Sequence, residues 1–182
     1  MGMLLRVRTV GPWQTNAFVL VCPASMQSVL IDPGDEPRTL AAMLEGTRPT
    51  AVLLTHSHPD HTGALEEMRS RLRVPVMAHP AFAGNLIDRE IADGGTIPVG
   101  AHRLKVYYAP GHTPDQLCFA IDKDDRVIVG DAIFEGGPGK TWSHEDFQTA
   151  LDTLRRVILS WSDETRCHPG YKNGYHVLNI DY

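Results

Sequence analysis

Cysteine is scarce here, and that scarcity excludes a disulfide framework. Cys22, Cys118 and Cys167 are the 3 cysteines in 182 residues, an odd number, far apart, with no Cys-x-x-Cys pair. The expectation is a cytoplasmic protein whose cysteines are small, partly buried core residues. No apolar run reaches the ~20 residues that a membrane span needs. Met1 to Val10 has neither the basic start nor the long apolar stretch of a signal peptide. A basic run for nucleic acid is missing too: 17 Lys and Arg stand against 22 Asp and Glu, for a net charge of -5. There is no Gly-x-Ser-x-Gly elbow for a serine nucleophile. Without repeats, linkers or low-complexity segments, residues 1–182 read as one domain with a substantial core. Its expected partner is a small-molecule substrate, and the sequence leaves oligomeric state open.

Histidine, by contrast, is concentrated. Thr55-His56-Ser57-His58-Pro59-Asp60-His61 packs three imidazoles and a carboxylate behind the aliphatic run Ala51-Val52-Leu53-Leu54. That run reads as a buried strand ending in a loop. Alternation points His56 and His58 the same way, Ser57 the other way, and Pro59 turns the chain before Asp60 and His61. Nitrogen and oxygen donors at this density suit one or two divalent cations.

Three further ligand types each follow a strand-like run. His112 comes after Leu104 to Tyr108 through Pro-Gly, Asp131 after Arg126 to Val129 through Gly130, and His168 after a short run from Thr165 to Cys167. Strand ends on one sheet edge can converge on one site. Five histidines and two aspartates are too many for one tetrahedral zinc and suit two metals sharing a carboxylate. His79, His102 and His144 read as cleft-edge or solvated residues.

The rest of the chain sets these donors in a frame. Leu4 to Val10, Asn16 to Val21 and Ser28 to Ile31 read as an antiparallel meander closed by the turn Asp32-Pro33-Gly34-Asp35. Helices are expected over 36–45, 62–72, 81–89 and 143–160. The last is capped by Ser143 and Asp146 and buries Phe147, Leu151, Leu154 and Ile158. Val74 to Ala78 reads as an edge strand because of Pro75. Leu117 to Ile121 and Arg126 to Val129 read as a hairpin. Strands grouped in each half, with helices between, predict an α+β fold of two sheets packed face to face with helices outside.

With these residues in view, the sequence resembles the metallo-β-lactamase fold superfamily. Its His-x-His-x-Asp-His signature matches His56, His58, Asp60 and His61. Its later motifs match His112 in Pro-Gly-His-Thr-Pro, Asp131 in Gly-Asp-Ala-Ile-Phe, and His168, and its early turn matches Asp32-Pro33-Gly34. The resemblance implies a four-layer αββα sandwich of two mixed sheets with metals at one edge. It assigns His56, His58 and His112 to one metal, Asp60, His61 and His168 to a second, and Asp131 to both. A carboxylate at Asp131 sets the chain apart from true β-lactamases. The stretch from Gly130 through Lys140 is similar to glyoxalase II-like thioester hydrolases, in which a lysine near Lys140 helps to hold glutathione. That family's C-terminal helical extension has no counterpart before Tyr182, so the expected substrate is a thioester or related ester rather than glutathione conjugates in particular.

The chemistry so implied uses two divalent ions, zinc first and iron or manganese next. They lower the pKa of a shared water so that a bridging hydroxide forms near neutrality and attacks the carbonyl, with Asp60 orienting it. Lys140, Tyr171 and Tyr175 are candidates for the substrate mouth. Two alternatives share the same motif. One is a lactonase. The other is an iron-dependent persulfide dioxygenase holding a single iron through His56, His112 and Asp131.

Overall fold

Each half of the chain spins a sheet, and the two sheets meet through their apolar faces. The computed structural model describes residues 2–171 and 174–176, the last two as backbone only. The first sheet runs in chain order: β1 (Leu4–Val10), β2 (Thr15–Val21), β3 (Gln27–Ile31), β4 (Arg48–Leu53), β5 (Val76–Ala78) and β6 (Arg89–Glu90). The first three strands form the expected antiparallel meander, and β3 to β6 then pair in parallel. β2 is buried at every position, the signature of a strand covered on both faces.

The second sheet begins with β7 (Thr96–Val99), β8 (His102–Tyr108), β9 (Leu117–Ile121) and β10 (Arg126–Gly130). It takes up β13 (Arg166–Pro169) and β14 (Tyr175–His176) beyond a small hairpin of β11 (Ile133–Phe134) and β12 (Gly137–Pro138). β10 and β13 pair in parallel and the other neighbours are antiparallel, so this sheet is mixed as well.

Three apolar clusters separate four layers. The central one holds Phe18, Leu20, Ile31, Leu53, Leu104, Phe119 and Ile128 between the sheets. A second joins the outer face of the first sheet to α1 (Pro37–Met43) and α3 (Leu65–Leu72) through Leu40, Leu65 and Met68. The third joins the second sheet to α4 (His144–Arg156) and the short turn of helix after it through Val129, Leu154 and Ile158. The αββα sandwich is therefore the fold of this chain. None of the three cysteines forms a disulfide, and all are buried within it. No helix among the described residues is long and apolar enough to cross a membrane.

Several local expectations needed correction. Residues 81–88 form turns and irregular backbone rather than a helix, interrupted by Gly84 and Asn85, which favour turns over helix interiors, and Arg89 already belongs to β6. β5 is not an edge, because the two-residue β6 covers its far side. β7 forms despite Pro98, whose missing N–H is tolerated on an edge strand. On α4, the Ser143 hydroxyl accepts from the Asp146 amide at 3.0 Å as a cap. Phe147 nevertheless stays 42 % exposed, and Ala150, Thr153 and Leu154 are the buried positions of that helix. The helix docks by Ala150 on Gly111, where a Cβ would fall 2.5 Å from the Ala150 Cα.

Candidate metal centre

The donors meet where loops leave the strand ends of both sheets. β4 runs into Leu54 and Thr55, both buried, and delivers His56. The four-residue α2 (Pro59–Thr62) starts with Pro59 in its first turn and carries Asp60 and His61 back toward the same place. From the second sheet, the loop after β8 brings His112 and the end of β10 brings Asp131.

Two groups of ligand atoms lie within 4.8 Å of one another: His56, His58 and His112, and His56, His61 and Asp131. His112 Nε2 is 3.0 Å from His58 Nδ1. Asp131 faces both groups, with Oδ1 at 3.4 Å from His61 Nε2 and Oδ2 at 3.6 Å from His112 Nε2. Asp60 Oδ2 lies 3.4 Å from His61 Nε2 on the other side.

Hydrogen bonds behind the rings decide which nitrogen faces inward. His112 Nδ1 contacts the Lys140 carbonyl at 2.7 Å, and His61 Nδ1 contacts Asp32 Oδ2 at 2.9 Å. Both partners only accept, so each Nδ1 carries a proton and Nε2 is the atom turned toward the site, free to bind a cation once it holds no proton of its own. Thr55 donates its hydroxyl to Asp32 Oδ2 at 2.6 Å and its oxygen meets His56 Nδ1 at 3.0 Å, which sets the same tautomer there. One buried carboxylate thus orients two histidines. Asp32 is wholly buried, adopts a left-handed φ of 52°, and also accepts from the Thr55 amide at 2.8 Å. From the sequence it reads only as a turn residue. Thr55 and Thr15 were likewise missed, and Thr15 donates to Asp60 Oδ2 at 3.1 Å.

The donor chemistry fits a cation on structural grounds. His56 Nε2, His61 Nε2 and Asp131 Oδ1 are buried with no hydrogen-bond partner among the described residues, and all three converge in one group. Buried polar atoms are costly to leave unmatched, so three aimed at one point call for a shared positive partner. Burial, reinforced by the other three histidines, holds His56 well below the usual imidazole range. Burial also lowers His58, with His112 adding to the effect. For His61, burial pulls in the same direction, but Asp131 and Asp32 outweigh it and lift the ring to about 10. Burial raises Asp60, yet the Tyr171 hydroxyl and His61 overcome it and leave its carboxyl below the ordinary value.

β13 departs from expectation. Its register sets His168 beside Ile128, facing the inter-sheet core edge-on to Phe18 at 6.4 Å between ring centroids. His168 joins neither donor group, and its Nε2 is buried without a hydrogen-bond partner among the described residues. Burial, with Arg166 and Arg126 adding to it, lowers this ring to about 4. Beyond the strand end, Gly170 presses on the site: a Cβ there would come 2.2 Å from Asp131 Oδ1 and 2.6 Å from His61 Cε1. Tyr171 follows, and its hydroxyl donates to Asp60 Oδ2. Burial and that carboxylate raise the phenol.

Of the residues expected at the substrate mouth, Tyr171 therefore contacts a metal-type donor directly. The Lys140 side chain is exposed and lies 4.1 Å above the Trp142 ring, while its backbone supports His112. The side chain of Tyr175 lies outside the described residues. Beside Asp60, a groove of about 240 Å³ is lined by Val10, Trp13, Thr15, Gly34 and Pro59. Trp13 is 72 % exposed there.

Comparison with known proteins agrees with this picture. Residues 10–160 match the family model described as the metallo-β-lactamase superfamily. A probable metallo-hydrolase, YqgX of Bacillus subtilis, is 32 % identical over 97 % of this chain and 93 % of its own length. A hydroxyacylglutathione hydrolase of Nitrosococcus oceani is 32 % identical over 88 % of this chain, which spans only 65 % of that longer protein. Among solved structures, TTHA1623 in a di-iron-bound form is 31 % identical and superposes with a TM-score of 0.80, covering 94 % of each chain.

Proposed function

Because the chain belongs to the metallo-β-lactamase superfamily, whose members are generally metal-dependent hydrolases of small molecules, we propose that it is a dinuclear hydrolase cleaving a thioester or a related ester. The observation that carries this reading is Asp131, whose two oxygens face different histidine groups at 3.4 and 3.6 Å. His56, His58 and His112 would hold one cation, Asp60 and His61 would contribute to a second, and Asp131 would offer a carboxylate oxygen to each. Zinc suits the imidazole donors, with iron or manganese as competitors. The di-iron form of TTHA1623 supports two positions, and the hydroxyacylglutathione hydrolase supports a thioester. Residues 1–182 act as one domain, and three buried cysteines without a disulfide fit a reducing cytoplasm.

Bound cations supply a water acidified to about neutrality and a Lewis acid for the carbonyl oxygen. The chain does the rest. Asp32, Thr55 and the Lys140 carbonyl fix the rings before substrate arrives, which is the preorganisation that makes electrostatic stabilisation effective. Asp60, whose carboxyl the Tyr171 hydroxyl and His61 hold below its ordinary value before a cation binds, would orient the attacking water. Lys140 and Tyr175 belong to the substrate mouth, with Trp13 and the groove beside Asp60 as the apolar wall for an acyl chain.

Metal analysis of the purified protein tests the reading, followed by a panel of thioesters, esters and lactones assayed without oxygen. Two ions per chain with anaerobic thioester cleavage is the expected result. One iron per chain, with oxygen uptake on a persulfide and no thioester cleavage, would replace the hydrolase by a dioxygenase.

A further inference from the structure

We propose that Tyr171, not His168, is the last protein donor to the second cation, which makes that position rich in oxygen. The inference rests on the two-cation reading above and concerns which residues complete it. β13 ends at Pro169, with His168 inside the strand and turned toward Phe18. Two residues past the strand end, Tyr171 reaches the opposite side of the donor cluster. Its hydroxyl meets Asp60 Oδ2, and its ring lies edge-on to His61 at 6.0 Å between centroids. Gly170, between the two, is clamped against Asp131 and His61, so the backbone cannot slide far enough to exchange them.

His56 borders both groups; with it assigned to the first position, the second offers one nitrogen, from His61, and three oxygen donors, from Asp60, Asp131 and Tyr171. The first offers three nitrogens and Asp131. Carboxylate and phenolate donors suit harder ions such as manganese or ferric iron, while imidazoles suit zinc. The two positions should therefore prefer different metals. On binding, the Tyr171 O–H bond breaks heterolytically, its proton passes to solvent, and the oxygen lone pair forms the new bond. No electrons change hands, and uptake releases one proton more than it would without this phenol.

The test is spectroscopic and does not depend on turnover. Full-length protein stripped with chelator is reloaded with ferric ion supplied as its citrate complex, and visible absorption is followed. In parallel, zinc and manganese are titrated by calorimetry into the wild type and into Tyr171→Phe, Tyr171→His and His168→Gln. We expect a visible phenolate-to-iron charge-transfer band that is lost in Tyr171→Phe and kept in His168→Gln. Affinity at the second position should fall roughly 100-fold in Tyr171→Phe, the upper end of what losing a supporting partner costs. Tyr171→His should regain two-ion binding with its preference moved toward zinc. The proposal is overturned by a wild type that binds two ions per chain without the band, or by a band that survives in Tyr171→Phe. It is equally overturned if His168→Gln loses the second ion while Tyr171→Phe keeps it. A wild type that binds at most one ion would sink the two-cation reading itself, and this inference with it.

Discussion

The two sides of Asp131 are supported in opposite ways. On one side stand His56, His58 and His112, all nitrogen donors. His112 leans on a backbone carbonyl, while His58 is partly exposed and faces His112 across 3.0 Å. On the other side stand His61 and Asp60, a buried ring between carboxylates and a carboxylate gripped by Thr15 and Tyr171. On the nitrogen side, burial favours the neutral form of His56 and His58. The oxygen side carries a ring that holds its proton tightly. A cation entering that second side must displace a proton from His61.

The most damaging change removes what the two sides share. Asp131→Asn keeps the shape but loses the charge that faces both histidine groups. We expect at most one ion per chain by metal analysis and a fall in thioester turnover of roughly 1,000-fold, the upper end of the cost of losing one preorganised electrostatic contact. Equal loss of ions from both sides would confirm that Asp131 joins them.

Asp32→Asn probes the asymmetry one step further out. It weakens the contact to His61 Nδ1 directly and the contact to His56 only through Thr55. Metal affinity should fall about 10- to 100-fold, and more at the oxygen side, as read by two-site calorimetric titration. Comparable losses on both sides would show that Asp32 serves the pocket as a whole.

Acidity separates the sides in the chelated protein. His61, raised from 6.5 to about 10, is protonated more readily folded than unfolded. Its stabilisation is complete below about 6.5 and disappears as the pH rises through about 10. His168, lowered from 6.5 to about 4, works in reverse: stability is intact above 6.5 and is lost as the pH falls toward 4. His56 and His58, also lowered, add to the acid loss. Thermal melts in chelator should therefore peak near neutrality, and zinc should abolish the alkaline decline because the ion takes the place of the His61 proton.

The smallest effect is expected from Lys140→Ala. His112 is held by the backbone carbonyl at this position, and the side chain rests on Trp142 in solvent. Metal content should not change and stability should move by less than about 0.5 kcal/mol. Only KM should rise if the lysine reaches the substrate.

What the sequence disclosed followed from locality. His56, His58, Asp60 and His61 lie within six residues of one strand end, so geometry has little freedom to separate them. His112 and Asp131 were legible because Gly-rich turns after apolar runs mark strand ends. The third case exposed the limit. Whether His168 or Tyr171 reaches the cluster depends on where β13 stops, and strand boundaries are set by pairing with β10, a partner some forty residues away. Asp32 escaped for another reason. A buried carboxylate in a left-handed turn looks, in one dimension, like any Asp-Pro-Gly loop. Phe147 was expected in the core because helical spacing identifies a stripe without saying where along it the neighbouring sheet ends.

Pro169 and Gly170 tie the molecule together in a way that reaches beyond their size. Asn16, on the first sheet, bonds to both of their carbonyls at 3.0 and 2.7 Å, while the Gly170 amide bonds to Gly130 on the second at 2.9 Å. This dipeptide staples the two leaves of the sandwich at the rim where the cations are expected. Parting the leaves there to admit a guest would break these bonds. Rearranging exposed side chains such as Trp13 and Trp142 breaks none of them, so substrate choice should evolve by exchanging those surface aromatics while the framework beneath stays fixed.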